Sequence, residues 1–151
     1  MDLVIVFFAT KLYIVIVVAA VLVFLYSSRQ LQRSLFLKAL ITMPLAFVIS
    51  RVAKLFVDSP RPFVDGHMVN IIAHTPDNGF PSDHALLVFT VAAIVYTQNK
   101  VVGSVLIGLG VLVGVGRIAA GVHHTIDVLG GVLIAFVATY IAVLILRRWQ
   151  I

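Results

Sequence analysis

Residues 3–26 read LVIVFFATKLYIVIVVAAVLVFLY, and Lys11 is the one charge among them. A helix that crosses a bilayer needs about 20 consecutive apolar residues, because the hydrocarbon core is roughly 30 Å thick. This stretch meets the requirement. Leu35 to Val57 meets it too, with Lys38 near its start and Arg51 and Lys54 near its end. Val101 to Ala119 is a third such span, rich in the glycine that lets helices approach closely. Asp127 to Leu146 is a fourth. Ala85 to Gln98 is shorter, and taken alone it suits a buried or re-entrant segment as well as a span. The placement of the polar residues favours a crossing helix packed inside the bundle. The expected fold is therefore all-α: an integral-membrane bundle of about five transmembrane helices, one domain over residues 1–151, with a long loop from Asp58 to Asp83.

Composition agrees. Of the 151 residues, 62% are hydrophobic and 11% charged, and glutamate is absent. Mean hydropathy is +1.14. A soluble domain of this length needs far more polar surface. The net charge of +5 is spread among apolar runs, so membrane topology and anionic lipid explain it better than nucleic acid does. With no cysteine, disulfides and thiolate chemistry are excluded. The first 26 residues lack a basic start and a small-residue cleavage site, so they read as a retained membrane helix.

If all five segments cross, the loops 58–83 and 120–126 share one face of the membrane. The loop 27–34, the turn 98–100 and the C-terminus share the other, which carries Arg29, Arg33, Lys38, Lys100, Arg147 and Arg148. The positive-inside rule makes that basic face cytoplasmic. The N-terminus and the polar loops are then outside, in a multi-pass protein of the cell membrane.

The costly polar residues gather at helix ends on the external face. Lys54 and Arg61 bracket the end of the second span, Ser82, Asp83 and His84 open the third, Arg117 closes the fourth, and His123 and Asp127 lead into the fifth. An ionised group within a membrane helix costs about 2.5–3.5 kcal/mol on insertion scales, so it is kept where it pairs, binds or lines a wet cavity. Lys54, Arg61 and Arg117 suit a tetrahedral phosphate: arginine offers a planar fork and lysine a compact charge. The start of the third helix adds backbone N–H groups after Pro81. Phosphoryl transfer asks mainly for positioning and neutralisation of the transferring group, and fixed cations supply both without a metal ion. His123 and Asp127, four apart, share a face of a helical turn. The carboxylate can accept the proton of one ring nitrogen and leave the other to attack phosphorus. His84 can protonate the leaving oxygen and then activate water.

The segments Lys54-x6-Arg61-Pro62, Pro81-Ser82-Asp83-His84 and Arg117-x5-His123-x3-Asp127 resemble the three motifs of the type 2 phosphatidic acid phosphatase superfamily. The resemblance spans residues 54–127. It implies phosphate contacts from Lys54, Arg61 and Arg117, with Ser82 as a further one, a phosphorylated His123 activated by Asp127, His84 as acid, and no metal or other cofactor. Ser59-Pro60-Arg61-Pro62-Phe63 with Phe80-Pro81-Ser82-Asp83-His84 is similar to the bacitracin-resistance type of undecaprenyl-diphosphatase, and His74 and Asp77 match it as well. That implies a lipid diphosphate substrate met at the external face. Asp83 stands where the family usually has glycine. Beside the phosphate it suits a partly protonated or diphosphate substrate. Gly116 stands where serine is usual, and the family commonly has six core helices against five here.

Plainer readings exist for each residue. Arg117, Lys54 and Arg61 could anchor helix ends at the interface, and Ser82 or Asp83 could cap a helix. His124 lies three before Asp127 and competes with His123, although the spacing from Arg117 favours His123. Asp65, His67, His74 and Asp77 lack regular metal-ligand spacing and read as a solvated loop. A broader phosphatidate or phosphatidylglycerophosphate phosphatase, a vanadate haloperoxidase, and a small anion or lipid transporter are the competing functions.

Overall fold

A computed structural model describes residues 2–148. Those residues form helices α1 (Asp2–Thr10), α2 (Leu12–Leu25), α3 (Arg29–Lys54), α4 (Asp83–Tyr96), α5 (Lys100–Ala119) and α6 (Thr125–Arg148), with no strand among them. Three of them, α3, α5 and α6, are long and apolar enough to cross a membrane. Apolar side chains such as Val18, Leu22, Phe36, Leu40, Phe47, Val111, Leu133 and Tyr140 lie exposed on their outer faces and on α2. In water that surface would be prohibitive; in lipid it is the expected exterior.

The expected first span divides. α1 and α2 meet at a 44° bend and together make a fourth span if counted as one. Thr10 sits at the bend, and its hydroxyl donates to the Val6 carbonyl at 2.6 Å. Such back-bonding weakens and bends a helix. Lys11 then leaves helical geometry, with φ −124° and ψ −33°.

The expected short helix is α4. Its 14 residues make about 21 Å at 1.5 Å per residue, well under the hydrocarbon thickness. By length and composition there are thus three to four spans and one short apolar helix, against the expected bundle of about five. α4 survives because it is central. Ala85, Leu86 and every residue from Val88 to Val95 are buried, and α2, α3, α5 and α6 all pack on it. A helix that is apolar all round belongs inside a bundle.

Caps set several of the boundaries. Ser28 accepts from Leu31 N–H ahead of α3 at 3.4 Å, and Asn99 from Val102 N–H ahead of α5 at 3.0 Å. Ser28 starts α3 six residues before the apolar run begins at Leu35.

Gly116 shows why α1 can lie on α5. A Cβ built there would come within 2.8 Å of Ala9 N and of Phe8 Cβ. The serine usual in related motifs therefore has no room while α1 is seated. Gly116→Ala should cost about 1–3 kcal/mol by overpacking, read as a lower melting temperature of the detergent-solubilised protein. Gly108→Ala, with nothing within 4 Å of its Cβ, should leave that temperature unchanged or slightly raised.

Candidate active site

Where α3 ends, α4 begins and α5 ends, a cavity of about 90 Å³ is lined by Lys54, Arg61, His74, Asn78, Gly79, Pro81, Asp83, His84, Arg117 and His123. Separate elements deliver them. Lys54 is the last residue of α3, His84 lies in the first turn of α4, Arg117 in the last turn of α5, and His123 just before α6.

The loop between α3 and α4 is tied down by one side chain. Asn78 Oδ1 accepts from Ser59 N–H at 3.2 Å and from Phe80 N–H at 2.9 Å. Its amide donates to Val57 O at 2.7 Å. Gly79 N–H adds a bond to Ser59 O at 2.8 Å. These contacts carry Arg61 inward until it is only 4% exposed.

Burying a guanidinium requires partners. Arg61 donates from Nε to Asp77 Oδ1 at 3.0 Å and from Nη1 to Val122 O at 2.7 Å. Asp77 also meets Lys54 Nζ at 3.4 Å. Partial burial alone would raise the Asp77 pKa. The Arg61 and Thr75 hydrogen bonds and the two nearby cations outweigh it and hold the group at about 2. Asp77 therefore stays ionised and fixes two of the three cavity cations relative to each other.

Arg117, 3% exposed, approaches the Ala9 carbonyl with Nη1 at 3.4 Å. Its Nε is buried with no partner among the described residues. An orphaned donor of this kind is costly, and an anion in the cavity would satisfy it.

His123 is the meeting point. Nδ1 faces Asp127 Oδ2 at 3.3 Å, while Nε2 faces Arg61 Nη1 at 3.3 Å and Arg117 Nη2 at 3.4 Å. The pattern selects one tautomer: Nδ1 donates to the carboxylate, and Nε2 keeps its lone pair toward the cations. Burial, followed by the positive charges of Arg117 and Arg61, lowers the His123 pKa against the opposing pull of Asp127. Asp127 is fully buried and also accepts from His124 N–H at 2.8 Å. Gly79 makes room for it, since a Cβ there would lie 2.8 Å from Asp127 Oδ2.

His124 points elsewhere. Its Nε2 lies 3.1 Å from Pro60 O and 2.9 Å from Asp65 Oδ2, and Asp65 also meets His67 Nδ1 at 2.6 Å. Of the two histidines, His123 is the one whose ring lines the cavity and faces Asp127.

Six of the residues singled out in the sequence thus line one cavity: Lys54, Arg61, Asp83, His84, Arg117 and His123. Asp127 stands behind His123. Ser82 is placed differently. It is fully buried, its hydroxyl accepts from Ala85 N–H at 3.5 Å as the cap of α4, and it is not among the lining residues. Asp83 lines the cavity but is paired with Arg51. His84 packs edge-on against Tyr13, centroids 4.9 Å apart. His74 and Asp77, which read as solvated loop, belong to the site. The His74 ring lies 6.0 Å from that of His123, and burial together with Arg61 and Arg117 lowers its pKa. No spacing rule places a residue halfway along an irregular loop, so the only signal for these two was the family resemblance.

A family model described as PAP2 superfamily matches residues 35–151. The undecaprenyl-diphosphatase BcrC of Bacillus subtilis (strain 168) is 30% identical over 131 residues, covering 85% of this chain and 67% of the relative. The crystal structure of Aquifex aeolicus LpxE superposes with a TM-score of 0.76 at 28% identity, covering 95% of this chain and 87% of that one. A transmembrane PAP2 type phosphatidylglycerolphosphate phosphatase from Bacillus subtilis shares the fold, with a TM-score of 0.64 at 21% identity over 96% of this chain and 74% of that one.

Asp77 gives a test of the site's electrostatics. A depressed carboxylate contributes stability that is complete above its ordinary pKa of 3.8 and is lost as pH falls toward about 2. Half of the Asp77 side chain is exposed, so solvent screening holds the contribution to about 1 kcal/mol or less. Asp77→Asn should flatten the fall in melting temperature between pH 4 and pH 2 by a matching amount.

Proposed function

The chain belongs to the PAP2 superfamily, and on that ground we propose that it is a membrane phosphatase that hydrolyses undecaprenyl or another polyprenyl diphosphate to the monophosphate and inorganic phosphate. The observation that carries the reading is the His123 ring. One nitrogen is engaged by a buried carboxylate and the other faces two buried guanidinium groups. The name of the Bacillus subtilis relative supports the diphosphate substrate.

In this reading the terminal phosphoryl group enters among Lys54, Arg61 and Arg117, which neutralise its oxygens. Nε2 of His123 attacks phosphorus. The bond from phosphorus to the bridging oxygen breaks, and the lipid monophosphate leaves with a proton supplied by His84. Nδ1–H, held by Asp127, stabilises the positive charge that develops on the ring. Water, losing its proton to His84, then attacks the phosphohistidine. Inorganic phosphate departs and the neutral ring is restored. Lys54, Arg61 and Arg117 are the electrophilic groups throughout, so the reaction is expected to proceed without a metal ion. Arg29, Arg33, Lys38, Lys100, Arg147 and Arg148 all lie at the opposite end of the bundle. The positive-inside rule then puts the cavity at the external face of the cell membrane.

Detergent-solubilised protein should release phosphate from a polyprenyl diphosphate faster than from phosphatidate or phosphatidylglycerophosphate, and a chelator should not reduce the rate. Comparable rates on all three would replace the diphosphatase reading with a broad one. His123→Ala and His84→Ala should each lower kcat by about 10²-fold or more, while His124→Ala stays close to the parent. Release that persists in the first two variants would overturn the roles given to His123 and His84.

The pH profile supplies a second check. The reactive form of His123 is the neutral ring, and its pKa is lowered from the ordinary 6.5. The acid limb of kcat/KM should therefore fall below pH 6.5, and Asp127→Asn should lower the maximum as well as move the limb.

A further inference from the structure

At the end of the bundle opposite the catalytic cavity lies a second, larger one of about 490 Å³ between α3, α4, α5 and α6. Lys38, Lys100 and Arg147 stand in its wall. None has a carboxylate partner among the described residues. The sequence offers few candidates: Asp58, Asp65, Asp77, Asp83 and Asp127 belong to the catalytic end, and Asp2 lies on α1, which packs there too.

Helix ends account for part of this charge. Lys38 donates to Thr97 Oγ1 at 2.9 Å, at the C-terminal end of α4, and Arg147 lies in the last turn of α6. Cations are favoured at both places. Lys100 has no such reason. It is the first residue of α5, where the helix dipole already supplies positive charge. Nor do helix ends explain why three cations from three helices border one cavity. Their mutual repulsion is relieved by an anion.

The rest of the wall says what kind of anion. Phe136, Val143 and Leu146 line the same cavity. An inorganic ion would leave that apolar surface unused, whereas a lipid uses both parts. Basic pockets between membrane helices on the positive face commonly hold anionic headgroups. We propose that this cavity binds the headgroup of an anionic phospholipid from the leaflet facing away from the catalytic site, with its phosphate among Lys38, Lys100 and Arg147 and an acyl chain along Phe136, Val143 and Leu146.

Native mass spectrometry of the delipidated full chain, titrated with phosphatidylglycerol, phosphatidylcholine or inorganic phosphate, tests this. Phosphatidylglycerol should bind saturably and tighter than phosphatidylcholine. Lys100→Gln and Arg147→Gln should each weaken it about fivefold. Both positions are exposed, so folding should be retained, and melting temperature checks that. Arg29→Gln and Arg33→Gln, at the same end but outside the cavity, should leave affinity unchanged. Lys54→Gln, in the catalytic cavity, should do the same. The proposal is overturned if Arg29→Gln or Arg33→Gln weakens binding as much as Lys100→Gln. Equal binding of phosphatidylcholine would overturn it too, as would full displacement of the lipid by millimolar inorganic phosphate. Loss confined to Lys54→Gln would assign the bound lipid to the catalytic cavity instead.

Discussion

Two guanidinium groups buried against one imidazole nitrogen set the terms for the rest of this molecule. Each charge removed from water carries a desolvation cost of several kcal/mol. The fold offsets it with Asp77 and the Val122 carbonyl for Arg61 and the Ala9 carbonyl for Arg117. The compensation is incomplete, since the Nε of Arg117 keeps no partner among the described residues. In the proposed reaction these cations receive the anion, and, after burial itself, the same charges lower the His123 pKa. Recognition of the anion and preparation of the ring are thus one electrostatic arrangement.

That arrangement reaches into parts of the chain with no chemistry of their own. α1 carries no catalytic group, yet its Ala9 carbonyl holds Arg117, and Gly116 is bare so that α1 can come this close. Asn78 touches no phosphate in the proposed reaction. It closes the loop that carries Arg61 and Asp77 inward. The burial of Asp127 depends on Gly79 in the same way. Positions like these mark where packing and catalysis share a constraint.

Charge is also sorted along the bundle. Asp65, Asp77, Asp83 and Asp127 at the catalytic end pair with a cation or a histidine, while the opposite end is basic without acidic side chains. The sorting serves topology first. Where the basic residues border a cavity rather than open interface, the same charges become available to a ligand.

Much of this was legible in the chain itself. Apolar runs announce helices in lipid because no other open backbone arrangement satisfies its hydrogen bonds there. Three short motifs at helix ends put Lys54, Arg61, His84, Arg117, His123 and Asp127 in one family pattern. Three things depended on contacts across the fold. Thr10 and Lys11 bend the first span, which hydropathy averages over. That four helices pack on the short α4 is a fact about its neighbours, which its length and apolar pattern leave open. The parts played by Asp77 and His74 rest on where an irregular loop returns, and that path is set by Asn78 and by the helices it bridges, not by any periodicity in the sequence.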